Sequence, residues 1–295
     1  MISAAQVKEL REKTGAGMMD CKKALEATEG DISAAIDWLR EKGIAKAAKK
    51  ADRVAAEGLT RVVVNNNTAA LIEINSETDF VAKNEQFLQL MDNIATAVAT
   101  ASPKTMEEAL ALSVNNDSIE NTIISATATI GEKISFRRFE IVEKSDDQNF
   151  GLYMHNGGRI SALALIEGGN DDVAKNIAMQ VASMTPSYVS REFMPQEIVQ
   201  KEREMQLEIV KNDESLATKP EKVIAGIVEG RLSKSLQDMC LVDQIYFKDQ
   251  DIKVGKYLQS ENAKVLSFIR YEVGEGIEKK ADNFVEEVMS QAFGK

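Results

Sequence analysis

The chain has 295 residues, 44% hydrophobic, 28% charged and 5% aromatic, with a formal net charge of -11. That balance argues against a protein that binds nucleic acid over its whole surface, which would show a basic face or a basic total. Two cysteines far apart, Cys21 and Cys240, argue against a disulfide or zinc framework, and a lone histidine, His155, excludes a multi-histidine metal centre.

The opening Met1-Ile2-Ser3-Ala4-Ala5-Gln6 runs straight into a helical pattern without a basic-then-apolar leader, and no apolar run reaches membrane-span length. The expectation is a cytoplasmic protein, or one of a compartment whose targeting segment has already been removed, with no membrane partner.

Three short helices are predicted in residues 1–43. The first carries Val7 and Leu10 and breaks at Lys13-Thr14-Gly15. The second runs from Met18 to Ala27, with Met18, Cys21, Ala24 and Leu25 at helical spacing, and stops at Glu29-Gly30. Asp31 caps the third, whose stripe is Ile32, Ala35, Ile36 and Leu39, and Gly43 closes it. Residues 44–58 space Lys46, Lys49, Lys50 and Arg53 among alanines. They read as a polar helical linker whose charge is either solvated or a nucleic-acid or lipid patch.

β-branched runs at 59–64 and 69–74 flank Asn65-Asn66-Asn67-Thr68 and predict a hairpin. A helix follows over 85–99, with Phe87, Leu90, Met91, Ile94 and Val98 on one stripe, and another over 119–130 that stops at Gly131. Strands are predicted at 134–142, 150–154 and 160–166. A helix at 172–184 turns Val173, Ile177, Val181 and Met184 to a core. Strand, loop, the tetrapeptide Val-Ala-Lys-Asn (81–84 and 173–176) and helix recur in the same order, which points to two related half-domains.

Helices over 195–211 and 221–238 are joined by a short polar turn. Their seams, Ile198, Met205 and Ile209, then Val223, Ile227 and Leu232, predict a projecting antiparallel hairpin. Strands at 245–247 and 265–273 and an amphipathic helix over 281–292 complete an α+β fold with antiparallel strands.

Two glycine clusters, Thr14-Gly15-Ala16-Gly17 and Gly274-Glu275-Gly276, lack the spacing of a phosphate-binding loop and read as helix starts and stops. The expectation is that the chain holds no nucleotide itself. No nucleophile turn surrounds His155, and the paired acids Glu286-Glu287 and Asp171-Asp172 read as solvated charge, so no covalent chemistry is expected.

The sharpest local feature is Glu77-Thr78-Asp79-Phe80-Val81-Ala82-Lys83-Asn84, between a strand and a helix. Either Thr78 or Asp79 caps that helix while Phe80 folds back as an apolar staple, or Phe80 points outward as an anchor for a partner. Met18 and Met19 are adjacent, and neighbouring helical positions point about 100° apart, so one fits the core and the other faces out.

Val7-Lys8-Glu9-Leu10-Arg11, followed by Lys13-Thr14-Gly15-Ala16-Gly17-Met18-Met19-Asp20-Cys21-Lys22-Lys23-Ala24-Leu25, resembles the opening of the bacterial elongation factor Ts family. Thr78-Asp79-Phe80-Val81-Ala82-Lys83-Asn84 resembles its second signature. Further likeness lies in Gly131-Glu132-Lys133-Ile134 with Arg137-Arg138, in Val228-Glu229-Gly230-Arg231, and in residues 268–278. The resemblance implies a guanine-nucleotide exchange factor for elongation factor Tu that acts in translation elongation. Residues 1–54 would be a ubiquitin-associated-like three-helix domain with its linker, docking on the G domain of Tu through Arg11, Met18 and Met19. Asp79 and Phe80, flanked by Thr78 and Val81, match residues that enter the G domain and disturb its magnesium site. Ile130 and Gly131 match a loop touching the same domain, and His155 falls near a histidine that reaches another domain of Tu.

The expected organisation continues with a core N-subdomain at 55–144 and a core C-subdomain at 145–194 and 241–276. A helical, coiled-coil hairpin fills 195–240 and a C-terminal module 277–295. The chain would carry no cofactor of its own, since GDP, GTP and magnesium belong to Tu, and would form a 1:1 or 2:2 complex without nucleic acid. Competing readings are an adaptor that binds a GTPase without exchange, a peptide-binding module confined to the first helices, and an enzyme.

Overall fold

The computed structural model describes residues 2–216 and 219–278. The predicted helix over 281–292 lies outside the described residues.

The first helices form where their caps place them. Ser3 and Gln6 make a reciprocal capping box at the start of α1 (Ala4–Thr14). α2 (Met18–Ala27) follows, and the Asp31 carboxylate accepts from the Ala34 amide to open α3 (Ile32–Ala48). Val7, Leu10, Cys21, Ala24, Leu25 and Ala35 form the buried core, with Trp38 and Leu39 packed against it. Burial on α2 begins at Cys21, so neither Met18 nor Met19 enters that core, contrary to the expectation that one would. α3 runs through Gly43 instead of ending there. It packs on α6, and a Cβ at 43 would sit 3.4 Å from the Ala128 side chain. A mid-helix glycine costs about 1 kcal/mol relative to alanine, and here it gives a close helix approach in return.

The hairpin is longer than predicted, β1 (Glu57–Asn65) and β2 (Thr68–Ser76). Asn66 takes φ 53° in a two-residue turn. Asparagine tolerates that left-handed geometry. α4 (Glu85–Ala101) buries Phe87, Leu90, Met91, Ile94 and Val98 as its periodicity requires. Short elements that carry little period follow: α5 (Met106–Ala111), β3 (Ser113–Val114) and β4 (Asp117–Ser118). α6 (Ile119–Ile130) leads to β5 (Ser135–Glu143), and the sheet order is β1-β2-β5.

β6 (Gln148–His155) and β7 (Ile160–Gly168) pair antiparallel, from Gln148 opposite Glu167 to His155 opposite Ile160. α7 (Asp171–Met184) packs on both. At Gly151 on β6 a Cβ would lie 1.9 Å from the Ala174 carbonyl, so only glycine admits α7 at that distance. The two Val-Ala-Lys-Asn segments hold different places. Val81–Lys83 is a single 3-10 turn before α4, whereas Val173 to Asn176 already lie inside α7, which Asn170 caps. The recurring element order is real, but the tetrapeptide does not mark equivalent positions.

α8 (Gln196–Lys211) and α9 (Glu221–Met239) pack together. Their buried seam is Glu202 and Val210 against Val228, Leu232 and Leu236. Met205, Ile209 and Val223, predicted in the seam, are 44–50% exposed. The polar Glu202 occupies a seam position and accepts from Ser235 Oγ at 2.6 Å and from Gln206, which displaces the apolar count by a residue. β8 (Ile245–Tyr246), β9 (Asp249–Lys253), α10 (Val254–Ser260) and β10 (Ala263–Glu272) follow, with sheet order β10-β7-β6. Tyr246 and Tyr257 stack 4.2 Å apart beside a core of Ile166, Ile177, Val181 and Leu258. The fold class is α+β, as expected.

The chain divides into two units. One gathers the described parts of Met1–Thr60, Ile72–Phe139 and Glu272–Lys295, the other Arg61–Leu71 and Glu140–Tyr271.

Candidate functional site

In the first unit, the turn after β2 decides between the two readings of Phe80. Phe80 is 79% exposed, while Val81 and Ala82 are buried beneath it. Successive positions of a 3-10 turn point about 120° apart, so burying the second and third leaves the aromatic outward. Neither Thr78 nor Asp79 caps α4. Asn84 does, its Oδ1 accepting from the Gln86 amide at 2.8 Å. The Asp79 carboxylate meets Lys83 Nζ at 2.9 Å, and the same ammonium lies 5.9 Å from the Phe80 ring centroid. Such exposed pairs contribute about 1 kcal/mol at most.

What holds the turn comes from elsewhere in sequence. Glu132 accepts from the Thr78 amide at 2.9 Å and from Thr78 Oγ1 at 2.7 Å. In the other direction, Glu77 Oε1 accepts from the Lys133 amide at 2.6 Å. Ser76 Oγ donates to the Thr78 carbonyl at 2.9 Å. Ile130 ends α6, and Gly131 caps it at φ 92° with its amide on the Thr127 carbonyl. No atom within 4 Å would meet a side chain at 131, so glycine answers the left-handed backbone and not a lack of room. The turn holding Thr78, Asp79, Phe80 and Val81 and the turn holding Ile130 and Gly131 thus come together through two carboxylates.

Lys46, Lys49 and Arg53 of the basic linker are exposed, as a solvated face requires, and charges on it also bond within the chain. Lys46 pairs with Asp20 at 2.8 Å, Lys50 donates to the Gly131 carbonyl at 2.6 Å, and Arg53 meets Glu77 at 3.2 Å. Lys133 Nζ returns to the carbonyls of Ala51 and Arg53 at 2.6 and 2.9 Å. The end of α3 therefore braces both turns. Arg11 is exposed on α1, and Met18 and Met19 are 50% and 64% exposed on α2. A cleft of about 440 Å³, lined by Thr14, Gly15, Gln86, Gln89, Thr129 and Ile130 among others, brings the end of α1 beside the end of α6.

In the second unit, His155 is the exposed last residue of β6. Its Nδ1 is 3.2 Å from Tyr153 Oη, and its neighbour Met154 is 43% exposed. Among the described residues no cluster of three or more His, Cys, Asp or Glu could hold a metal ion, and no helix is long and apolar enough to cross a membrane.

Sequence reasoning passed over Glu77, Glu132 and Lys133 as working residues. The Glu132–Thr78 bonds span 54 positions, a separation at which no local pattern signals pairing.

A family profile described as Elongation factor TS matches residues 77–275. Elongation factor Ts of Acholeplasma laidlawii (strain PG-8A) is 55% identical over 291 residues, 98% of each chain. The proteins of that name from Lacticaseibacillus casei (strain BL23) and Limosilactobacillus reuteri (strain DSM 20016) are each 52% identical, over 99% and 98% of both chains. The matched proteins are translation elongation factors, and the match runs nearly end to end. The chain belongs to the elongation factor Ts family.

Proposed function

We propose that this chain is a guanine-nucleotide exchange factor that binds elongation factor Tu with GDP and speeds GDP release during translation elongation. Residues 1–54 dock on the G domain through Arg11, Met18 and Met19. Asp79 and Phe80 enter between elements of that domain, with Thr78, Val81, Ile130 and Gly131 around them, and His155 reaches another part of Tu. The factor works in the cytoplasm by contact alone. The nucleotide and magnesium are Tu's own.

The observation that carries this reading is a large aromatic, 79% exposed, on a turn braced at both ends. An exposed Phe in that setting is a ready anchor, and rigid presentation spares the ordering cost of binding. An inserted ring that displaces the magnesium-bearing loop removes counter-charge from the phosphates, and GDP is then held less tightly. By linkage, GDP must weaken factor binding as much as the factor weakens GDP binding.

The test is release of a fluorescent GDP analogue from Tu at substoichiometric factor. The native chain turns over and accelerates release. Phe80→Ala slows it by tenfold or more, about 1.4 kcal/mol of barrier, while changing stability by less than about 0.5 kcal/mol because the ring is exposed. An unchanged rate for the variant removes Phe80 from the mechanism. Binding without acceleration by the native chain leaves an adaptor.

A further inference from the structure

We propose that Glu132 is a positioning residue for exchange, fixing the turn so that Phe80 is presented in one orientation. The inference rests on the exchange-site reading above and adds a residue that reading does not use.

Both carboxylate oxygens of Glu132 are spent on one residue, Oε2 on the Thr78 amide and Oε1 on its hydroxyl. Two acceptors on one carboxylate fix both the position and the rotation of the Thr78 peptide, which one hydrogen bond could not do. The Ser76 hydroxyl holds the carbonyl of the same residue, so the peptide entering Asp79 is fixed as well. On the far side, burial of Val81 and Ala82 and the Asn84 cap fix the chain leaving Phe80. The Phe80 ring is 79% exposed, and the Lys83 side chain 5.9 Å from its centroid is itself 73% exposed and part of the same turn. The ring's orientation is therefore set by the anchors on either side, and among those from distant segments Glu132 is the one that grips Thr78 directly. The reciprocal bond from the Lys133 amide to Glu77 keeps the Glu132 turn itself in register. A side chain whose work is insertion loses rate when its geometry loosens, and an error of about 1 Å can cost up to about 100-fold.

The experiment is a cycle of Glu132→Ala, Phe80→Ala and the double variant in the full chain, reading the maximal rate of GDP-analogue release and the factor concentration at half-maximum. Glu132→Ala should lower the maximal rate by about tenfold, with the half-maximal concentration changed by less than about twofold. The double variant should be slower than Phe80→Ala alone by far less than the loss that Glu132→Ala causes in the native chain, because Glu132 acts chiefly through the ring. Glu132→Gln should restore the rate, since its amide can accept from the Thr78 amide and donate to the Thr78 hydroxyl. Hydrogen exchange at the Thr78 amide should quicken in Glu132→Ala and not in Glu132→Gln. Should Glu132→Ala fail to fold, Thr78→Val removes the hydroxyl contact alone and should show a smaller loss of the same kind. Multiplicative losses in the double variant overturn the proposal, as does a native rate in Glu132→Ala while Phe80→Ala is slow. If both single variants run at the native rate, the exchange-site reading falls and takes this proposal with it.

Discussion

Glu73 on β2 is a fully enclosed carboxylate, 0% exposed. Arg137 reaches it at 2.9 Å and Arg138 at 2.6 Å, the Gly274 amide donates to it at 2.9 Å, and Asn75 adds a further bond. Burial pushes its pKa up, but the Gly274 amide, Asn75 and the two guanidiniums together outweigh that and hold it below the ordinary value. The unfolded chain therefore takes up a proton more readily than the folded one. The stability this group contributes is fully present above the ordinary carboxylate range and is lost as pH falls through the folded value. Denaturant midpoints measured from pH 7 to pH 3 should drop on the acid side. Glu73→Gln should flatten that drop and cost about 1–3 kcal/mol at neutral pH by weakening the charge-assisted bonds to Arg137 and Arg138, which keep their contacts to Glu272 and Glu275. An unchanged acid limb in the variant would place the pH dependence elsewhere. At this scale the sequence was legible where a residue acts on near neighbours, as Asp31 and Gly131 do at helix ends, though the cap of α4 was misplaced onto Thr78 or Asp79 when Asn84 supplies it. It was not legible at Phe80, because whether Phe80 or Val81 goes inward depends on what lies beneath the turn. Nor was it at Glu73 or Glu132, whose partners are dozens of positions away.

The hairpin of α8 and α9 shows how an element departs from its pattern. Periodicity located both helices to within a residue or two, since each has a proline start and a long run of helix formers. It misplaced the seam because apolar counting skips a buried Glu202. That carboxylate, 9% exposed, is tolerable through the Ser235 hydroxyl and Gln206. Ser235→Ala leaves it short of a donor and should destabilise the chain by about 1–3 kcal/mol in chemical denaturation. Glu202→Met combined with Ser235→Ala removes both polar partners and should recover most of that loss or exceed the native stability. A double variant weaker than Ser235→Ala would show that the pair stabilises the hairpin in its own right. The same logic explains Gly43, where the local stop signal is overridden by packing on α6, and the short α5, β3, β4 and β9, which are too brief to declare a period.

On the scale of the whole molecule, the chain passes between its two units at 60–61, 71–72, 139–140 and 271–272. Each passage falls inside a strand, namely β1, β2, β5 and β10. Neither unit is a continuous piece of sequence, and melting one would sever hydrogen-bonded strands of the other. The two should therefore unfold together. The single tryptophan, Trp38, lies in one unit and all five tyrosines lie in the other, so each unit carries its own optical probe. Tryptophan fluorescence and tyrosine absorbance should give coincident thermal transitions, and transitions several degrees apart would show independent units. This shared construction was beyond the sequence reading, because hairpin and helix signals are local while strand passage between units is a property of long-range pairing.

The two cysteines are sealed in different places. Cys21 sits at 0% exposure among the first three helices, and Cys240 at 0% exposure at the end of α9. Burial and the nearby Asp243 also hold the Cys240 thiol in its protonated, unreactive form. A thiol reagent added to the native chain thus meets no cysteine until a segment opens. The time course of labelling at each thiol becomes a clock for the opening of its own surroundings. A third cysteine placed on the exposed rim of the Phe80 turn would accept a dye at once, leaving the two native thiols unmarked and in place.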